Sequence, residues 1–185
     1  MIPTELPFSE IWLHDFEFIA KPGCYPDVVC LAARELRSGQ TLSLWLEPGE
    51  RPPVPYRTDS SSLFVSFVAS AELSCHLALG WPLPVKVLDL NPEFRCIMNG
   101  RPSAESRGLI GALDHFHIDN IGAKRKEAMQ KRILQGRPYT REERELFLQY
   151  CMSDVDALER LLPKILRSST STSRSTAASL LLHPQ

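Results

Sequence analysis

Asp15 and Glu17 stand two residues apart in the run Ile-Trp-Leu-His-Asp-Phe-Glu-Phe-Ile, residues Ile11–Ile19. A strand has a side-chain period of two, so both carboxylates point to one face. The run is apolar on both faces, the pattern of a central strand covered on both sides. Two like charges there are costly unless something positive compensates them, and a divalent metal is the simplest compensation. A second constellation lies near the end of the chain, in Tyr150-Cys-Met-Ser-Asp154. Spacing of four puts Tyr150 and Asp154 on one helix face, which also carries Phe147, Leu158, Leu161 and Ile165. In a chain of this composition chance supplies roughly 0.6 Asp-x-Glu pairs but only roughly 0.17 Tyr-x-x-x-Asp, so the second motif is the more specific. A third carboxylate, Glu72, falls near the start of a helix directly after a strand. The helix dipole alone favours an acid at such a position.

These residue types suit one chemistry in particular. Phosphodiester cleavage by two metals needs carboxylates converging from different elements, to hold cations about 4 Å apart. One cation activates water and the other stabilises the leaving oxygen. A phenol on the same helix as a ligand can orient the attacking water.

The elements that must position them are legible. Residues 11–19 read as a first strand. Asp27–Leu36 and Thr41–Leu46 read as two more, joined by Arg37-Ser38-Gly39-Gln40 as a short hairpin loop. Pro48–Ser62 is a loop, and Leu63–Val68 is a short apolar strand. A helix over Ala69–Leu79 is stopped by Gly80 with Pro82 beyond, and Val85–Leu90 reads as a strand. After Asn91 the pattern turns helical, with patches at Leu109–Phe116 and Ala123–Leu134. Thr140 with Glu143 three residues later is a capping box that opens the last helix, which runs to about Ile165. Strands first and alternating elements later indicate an α/β fold, a mixed central sheet flanked by helices. Residues 1–167 form one domain, and 168–185 read as a Ser/Thr-rich disordered tail.

Composition excludes several classes. A length of 185 residues with 43% hydrophobic and 23% charged residues is that of one ordinary globular domain. A net charge of −1 gives no global basic field, so nucleic-acid binding would need a local patch. Lys124, Arg125, Lys126, Lys131, Arg132 and Arg137 offer one, although a solvated helix face is at least as ordinary a reading. Five cysteines with no Cys-x-x-Cys argue for reduced thiols, against a disulfide framework or zinc site. Neither a secretory signal nor a membrane-spanning run stands out, so a cytoplasmic protein with no membrane partner is expected.

The motifs together resemble the DEDDy class of 3′–5′ exonucleases and, within it, the proofreading exonuclease domain of phage- and prophage-type family A DNA polymerases. Asp15-Phe-Glu17 is similar to the first exonuclease motif, and Tyr150-Cys-Met-Ser-Asp154-Val-Asp-Ala-Leu to the third. The region of the second is matched by Leu63–Asp89, with Ala-Glu72-Leu, Leu79-Gly80-Trp81-Pro82 and Val87-Leu88-Asp89-Leu90. The resemblance covers about residues 8–166. It implies a ribonuclease H-like exonuclease fold and two divalent ions, Mg²⁺ or Mn²⁺. Asp15, Glu17 and Asp154 would hold the first ion, Asp15 would bridge to the second, Glu72 would support the second ion's water shell, and Tyr150 would orient the water. It implies a DNA substrate, above all a single-stranded 3′ end, with a polymerase domain or subunit as a further partner. One departure stands out. The family's second motif reads Asn-x-x-x-Asp, whereas this chain has Val68-Ala-Ser-Ala-Glu72. Glu72 is assigned the role, with Asp89 as the fallback. An RNA-trimming exonuclease and a catalytically degenerate nucleic-acid-binding module remain as alternatives.

Overall fold

The computed structural model describes residues 6–99, 108–119 and 123–172. Its centre is a five-stranded mixed sheet in the order β3-β2-β1-β4-β5. β1 (Glu10–Ile19), β2 (Asp27–Glu35) and β3 (Thr41–Trp45) form the expected antiparallel meander. β4 (Ser62–Ser66) and β5 (Val87–Asp89) add to the other edge of β1, all running parallel. α1 (Ala69–Leu79) makes the crossover between them. It ends where expected: Gly80 takes φ 71°, and the Trp81 amide donates back to the His76 carbonyl at 2.9 Å.

Alternation along β1 sorts its side chains onto two cores. Ile11 and Leu13 enter one, against Val155, Leu158 and Leu162 of the last helix. Trp12 and Phe16 enter the other, against Cys75 and Leu79 of α1 and Tyr56 and Trp81 of the flanking loops. Both faces of the sheet are therefore covered, and Asp15 and Glu17 continue the Ile11–Leu13 face by parity.

The boundaries around β5 differ from expectation. β5 is shorter than Val85–Leu90, and a helix α2 (Leu90–Ile97) begins immediately after it. The cause is Asp89, whose Oδ1 accepts the Asn91 amide at 3.0 Å and turns the chain into a helix. Its Oδ2 accepts the Ala69 amide at 2.9 Å, at the start of α1. Val68, at the N-cap of α1, has no side-chain acceptor of its own. One carboxylate thus caps two helices.

α3 (Leu109–His115) and α4 (Ala123–Leu134) precede α5 (Arg141–Thr172), a 32-residue helix with Pro163 inside it. The capping box is formed: Glu143 N–H donates to Thr140 Oγ1 at 3.2 Å, and Thr140 N–H donates to Glu143 Oε2 at 2.8 Å. The helix passes Ile165 and includes the first residues of the Ser/Thr-rich segment, while 173–185 lie outside the described residues. Among the described residues no helix is long and apolar enough to cross a membrane.

Candidate metal centre

β4 pairs with β1 only as far as Leu13 opposite Val65. β1 continues to Ile19 with β2 as its remaining neighbour, Asp15 facing Ala32 and Glu17 facing Cys30. Both acids therefore lie beyond the carboxyl end of β4, where parallel sheets place their sites. Past that end the Phe16 amide donates to Glu72 Oε2 at 3.0 Å, so Glu72 from α1 completes the strand in place of a β4 carbonyl. On the other side α5 lays Cys151 against β1, its Sγ 3.0 Å from the Asp15 carbonyl oxygen. That contact brings Asp154 over the strand.

The result is a cluster of three. Asp15, Glu17 and Asp154 each offer a carboxylate oxygen, all within 4.8 Å of one another. Asp15 Oδ2 is fully buried with no hydrogen-bond partner among the described residues, and so is the Tyr150 hydroxyl. Burial, then the Asp154 charge, push the Asp15 carboxyl up to about 8. Burial and Asp15 hold Glu17 well above the usual carboxylate range, and the same two causes raise Glu72. Asp154 is also raised by burial, against the opposing pull of Lys126. Burial and the neighbouring carboxylates keep the Tyr150 phenol protonated. Three carboxylates that resist ionising together, with an unpartnered oxygen among them, make an all-oxygen donor set that fits a hard divalent cation.

Glu72 is close enough for Asp15 to be its principal charge neighbour, but it stands outside the cluster of three. Asp89, the fallback, has both oxygens engaged in capping. Asp156, two residues beyond Asp154, is turned away from the cluster and paired with Arg34 at 2.7 Å.

The basic patch is distributed differently from a free cationic surface. Arg132 binds Glu143 at 2.6 Å and the Gly136 carbonyl at 3.2 Å. Arg137 donates to the carbonyls of Leu46 at 2.6 Å and Val28 at 3.2 Å, and lies over the Trp45 ring. Lys131 is exposed, and the side chains of Lys124 and Arg125 lie outside the described residues. Lys126 points into the carboxylates: its Nζ contacts Asp154 Oδ2 and lies 5.6 Å from the Tyr150 ring centroid. Charge pattern alone gave no sign of this, because one Lys in a basic run looks like the next. The burial of Asp154 with no other cation in its sequence vicinity was the available hint.

Solved structures share this architecture. Escherichia coli RNase D, an exoribonuclease involved in structured RNA processing, superposes with a TM-score of 0.56 at 15% identity. The match covers 90% of this chain and 40% of RNase D, so the chain spans less than half of that protein. The Aedes aegypti Nibbler EXO domain superposes with a TM-score of 0.52 at 13% identity, covering 84% of this chain and 80% of that one. The fold is the ribonuclease H-like exonuclease fold. No family model matches the sequence, and no curated protein does.

Proposed function

We propose that the protein is a metal-dependent 3′–5′ exonuclease that hydrolyses the terminal phosphodiester of a nucleic acid and releases 5′-nucleotides. The observation that carries this is the convergence of Asp15, Glu17 and Asp154 at the end of β4, with the Tyr150 phenol one turn before Asp154. Asp15, Glu17 and Asp154 would hold a first divalent ion, Mg²⁺ or Mn²⁺. Asp15 would also face a second, with Glu72 supporting its water shell. When bound, the ions would supply charge stabilisation and an activated water.

The chain's own residues define the remainder. Tyr150 keeps its proton throughout the physiological range, so it acts as a hydrogen-bond donor that orients water and not as a base. Its hydroxyl has no competing partner among the described residues. Glu72 ties its own helix to β1 through the Phe16 amide, fixing the cluster's third side. A frayed single-stranded 3′ end would be its substrate. Residues 1–167 would be the catalytic unit and 168–185 an accessory tail. Five free cysteines suit a reducing compartment such as the cytoplasm.

The nature of the strand has two readings. The motif resemblance favours DNA and a proofreading role beside a polymerase domain or subunit. The likeness to RNase D favours RNA trimming. Incubation of 5′-labelled DNA and RNA strands of matched sequence with Mg²⁺ or Mn²⁺ tests both. A one-nucleotide ladder shortening from the 3′ end, absent in Asp15→Asn and in chelator, is expected, and the faster substrate identifies the strand. Folded protein that yields no ladder on either strand, yet binds them, would sink the nuclease reading in favour of a degenerate binding module.

A further inference from the structure

Lys126 is the cation that the cluster already contains. Its side chain is 17% exposed and that of Asp154 only 8%, so their ion pair is a desolvated one. Surface pairs contribute little, whereas a charge buried without its partner is costly. Asp15 and Glu17 also feel this ammonium, each being pulled down by it against the effect of burial. For Lys126 itself, burial would favour loss of the proton, but Asp154 and Asp15 more than offset that. The ammonium therefore lies where three carboxylates would otherwise repel one another. It arrives on α4, an element separate from the strand and helix that carry the acids.

We infer that Lys126 is the built-in counter-cation of this metal centre, holding its carboxylates together until divalent ions displace it. The inference rests on the reading of the cluster as a metal centre. An ion held by the neighbouring oxygens would meet a like charge a few ångströms away in a poorly screened site. Lysine suits the role because its ammonium is a point charge on a flexible four-carbon stem, able to withdraw without moving the backbone. Lys126 is thus a positioning residue that lowers metal affinity while protecting the metal-free fold. A residue that merely packed, or merely touched the phosphate backbone of a strand, would leave metal affinity unchanged.

The test uses the full chain and Mn²⁺ alone, with no nucleic acid. Calorimetric titration is run on wild type, Lys126→Met, Lys126→Gln, Lys126→Arg and Asp15→Asn, beside thermal melts in chelator. Both neutral variants are expected to bind Mn²⁺ at least about tenfold more tightly than wild type, given the strength of poorly screened like-charge repulsion. They are expected to melt lower than wild type without metal, with Lys126→Arg restoring the metal-free melt. Equal or weaker Mn²⁺ binding by neutral variants with wild-type circular dichroism would overturn the inference. So would neutral variants that stay unfolded even in excess Mn²⁺, since a pure counter-cation is replaceable by the ion. Wild type that binds Mn²⁺ no better than Asp15→Asn would overturn the metal centre itself, and this inference with it. Mn²⁺ binding that requires Asp15 but ignores Lys126 would overturn the inference alone.

Discussion

Replacing Asp15 by Asn is expected to stabilise the metal-free protein at pH 8 and to change little near pH 4. The Asp15 carboxyl is pushed from 3.8 up to about 8, first by burial and then by Asp154. Between those two values the folded chain keeps the proton and the unfolded chain has released it. Unfolding then releases a proton, so stability falls as pH rises through this window, and the contribution of the bound proton is fully lost above about pH 8. A span of about four pH units at about 1.36 kcal/mol each sets an upper bound of about 5 kcal/mol. Relaxation of the site reduces this, and about 2 kcal/mol is the working expectation. For a chain of 185 residues that is about 4–8 °C in Tm. The assay is urea unfolding followed by tryptophan fluorescence, in chelator, from pH 4.5 to 8.5. Wild-type stability is expected to decline across that range, with the Asp15→Asn variant declining less steeply and crossing above it. Saturating Mn²⁺ is expected to reverse the order, because only wild type has the full ligand set and gains binding free energy. Parallel pH curves in chelator, or an Asp15→Asn variant less stable at pH 8, would refute the account of a strained carboxylate cluster.

Tyr150→Phe removes a buried hydroxyl that has no partner among the described residues. The fold and Mn²⁺ affinity are expected to be unchanged, while single-turnover hydrolysis slows by roughly a hundredfold. Glu72→Ala leaves the Phe16 amide unsatisfied and is expected to lose about 1–3 kcal/mol in urea unfolding. Glu72→Gln keeps an acceptor for that amide, so it is expected to fold nearly as well as wild type. Any loss of hydrolysis it shows then belongs to the lost charge. Asp89→Ala uncaps α1 and α2 together and is expected to lose about 2 kcal/mol, with Mn²⁺ affinity intact. A drop in Mn²⁺ affinity instead would make Asp89 a ligand.

The sheet was legible because its signals are local. Period-two apolar runs, the Arg37–Gln40 loop and the glycine stop at Gly80 each describe a few neighbouring residues. The capping box at Thr140 and Glu143 is of the same kind, and it closes as read. The boundary between β5 and α2 was misplaced because Asp89 acts at long range as well as short. Its bond to Asn91 is a local cap, but its bond to Ala69 spans twenty residues and answers the absence of a capping side chain at Val68. A substitution that looks like loss at one position is compensated in space by an acid from the next strand.

The site follows the same logic. Asp15, Glu17, Tyr150 and Asp154 could be nominated because each pair lies within one element, where spacing dictates a shared face. That the two pairs meet depends on α5 packing along β1, and the apolar stripe of Phe147, Leu158 and Leu161 implies such packing without specifying its register. Register is fixed by contacts such as Cys151 on the Asp15 carbonyl, which no pattern encodes. Lys126 was the hardest to assign, being one basic residue among six read as a patch. Arg132 and Arg137 are engaged by carbonyls and acids elsewhere in the fold. Lys126 alone of the described members is drawn to the carboxylate cluster, because three converging carboxylates create a demand for charge that appears only after folding. A buried cluster therefore selects its counter-charge from whatever the surrounding helices present, and the selected residue is where sequence reasoning about this protein is weakest.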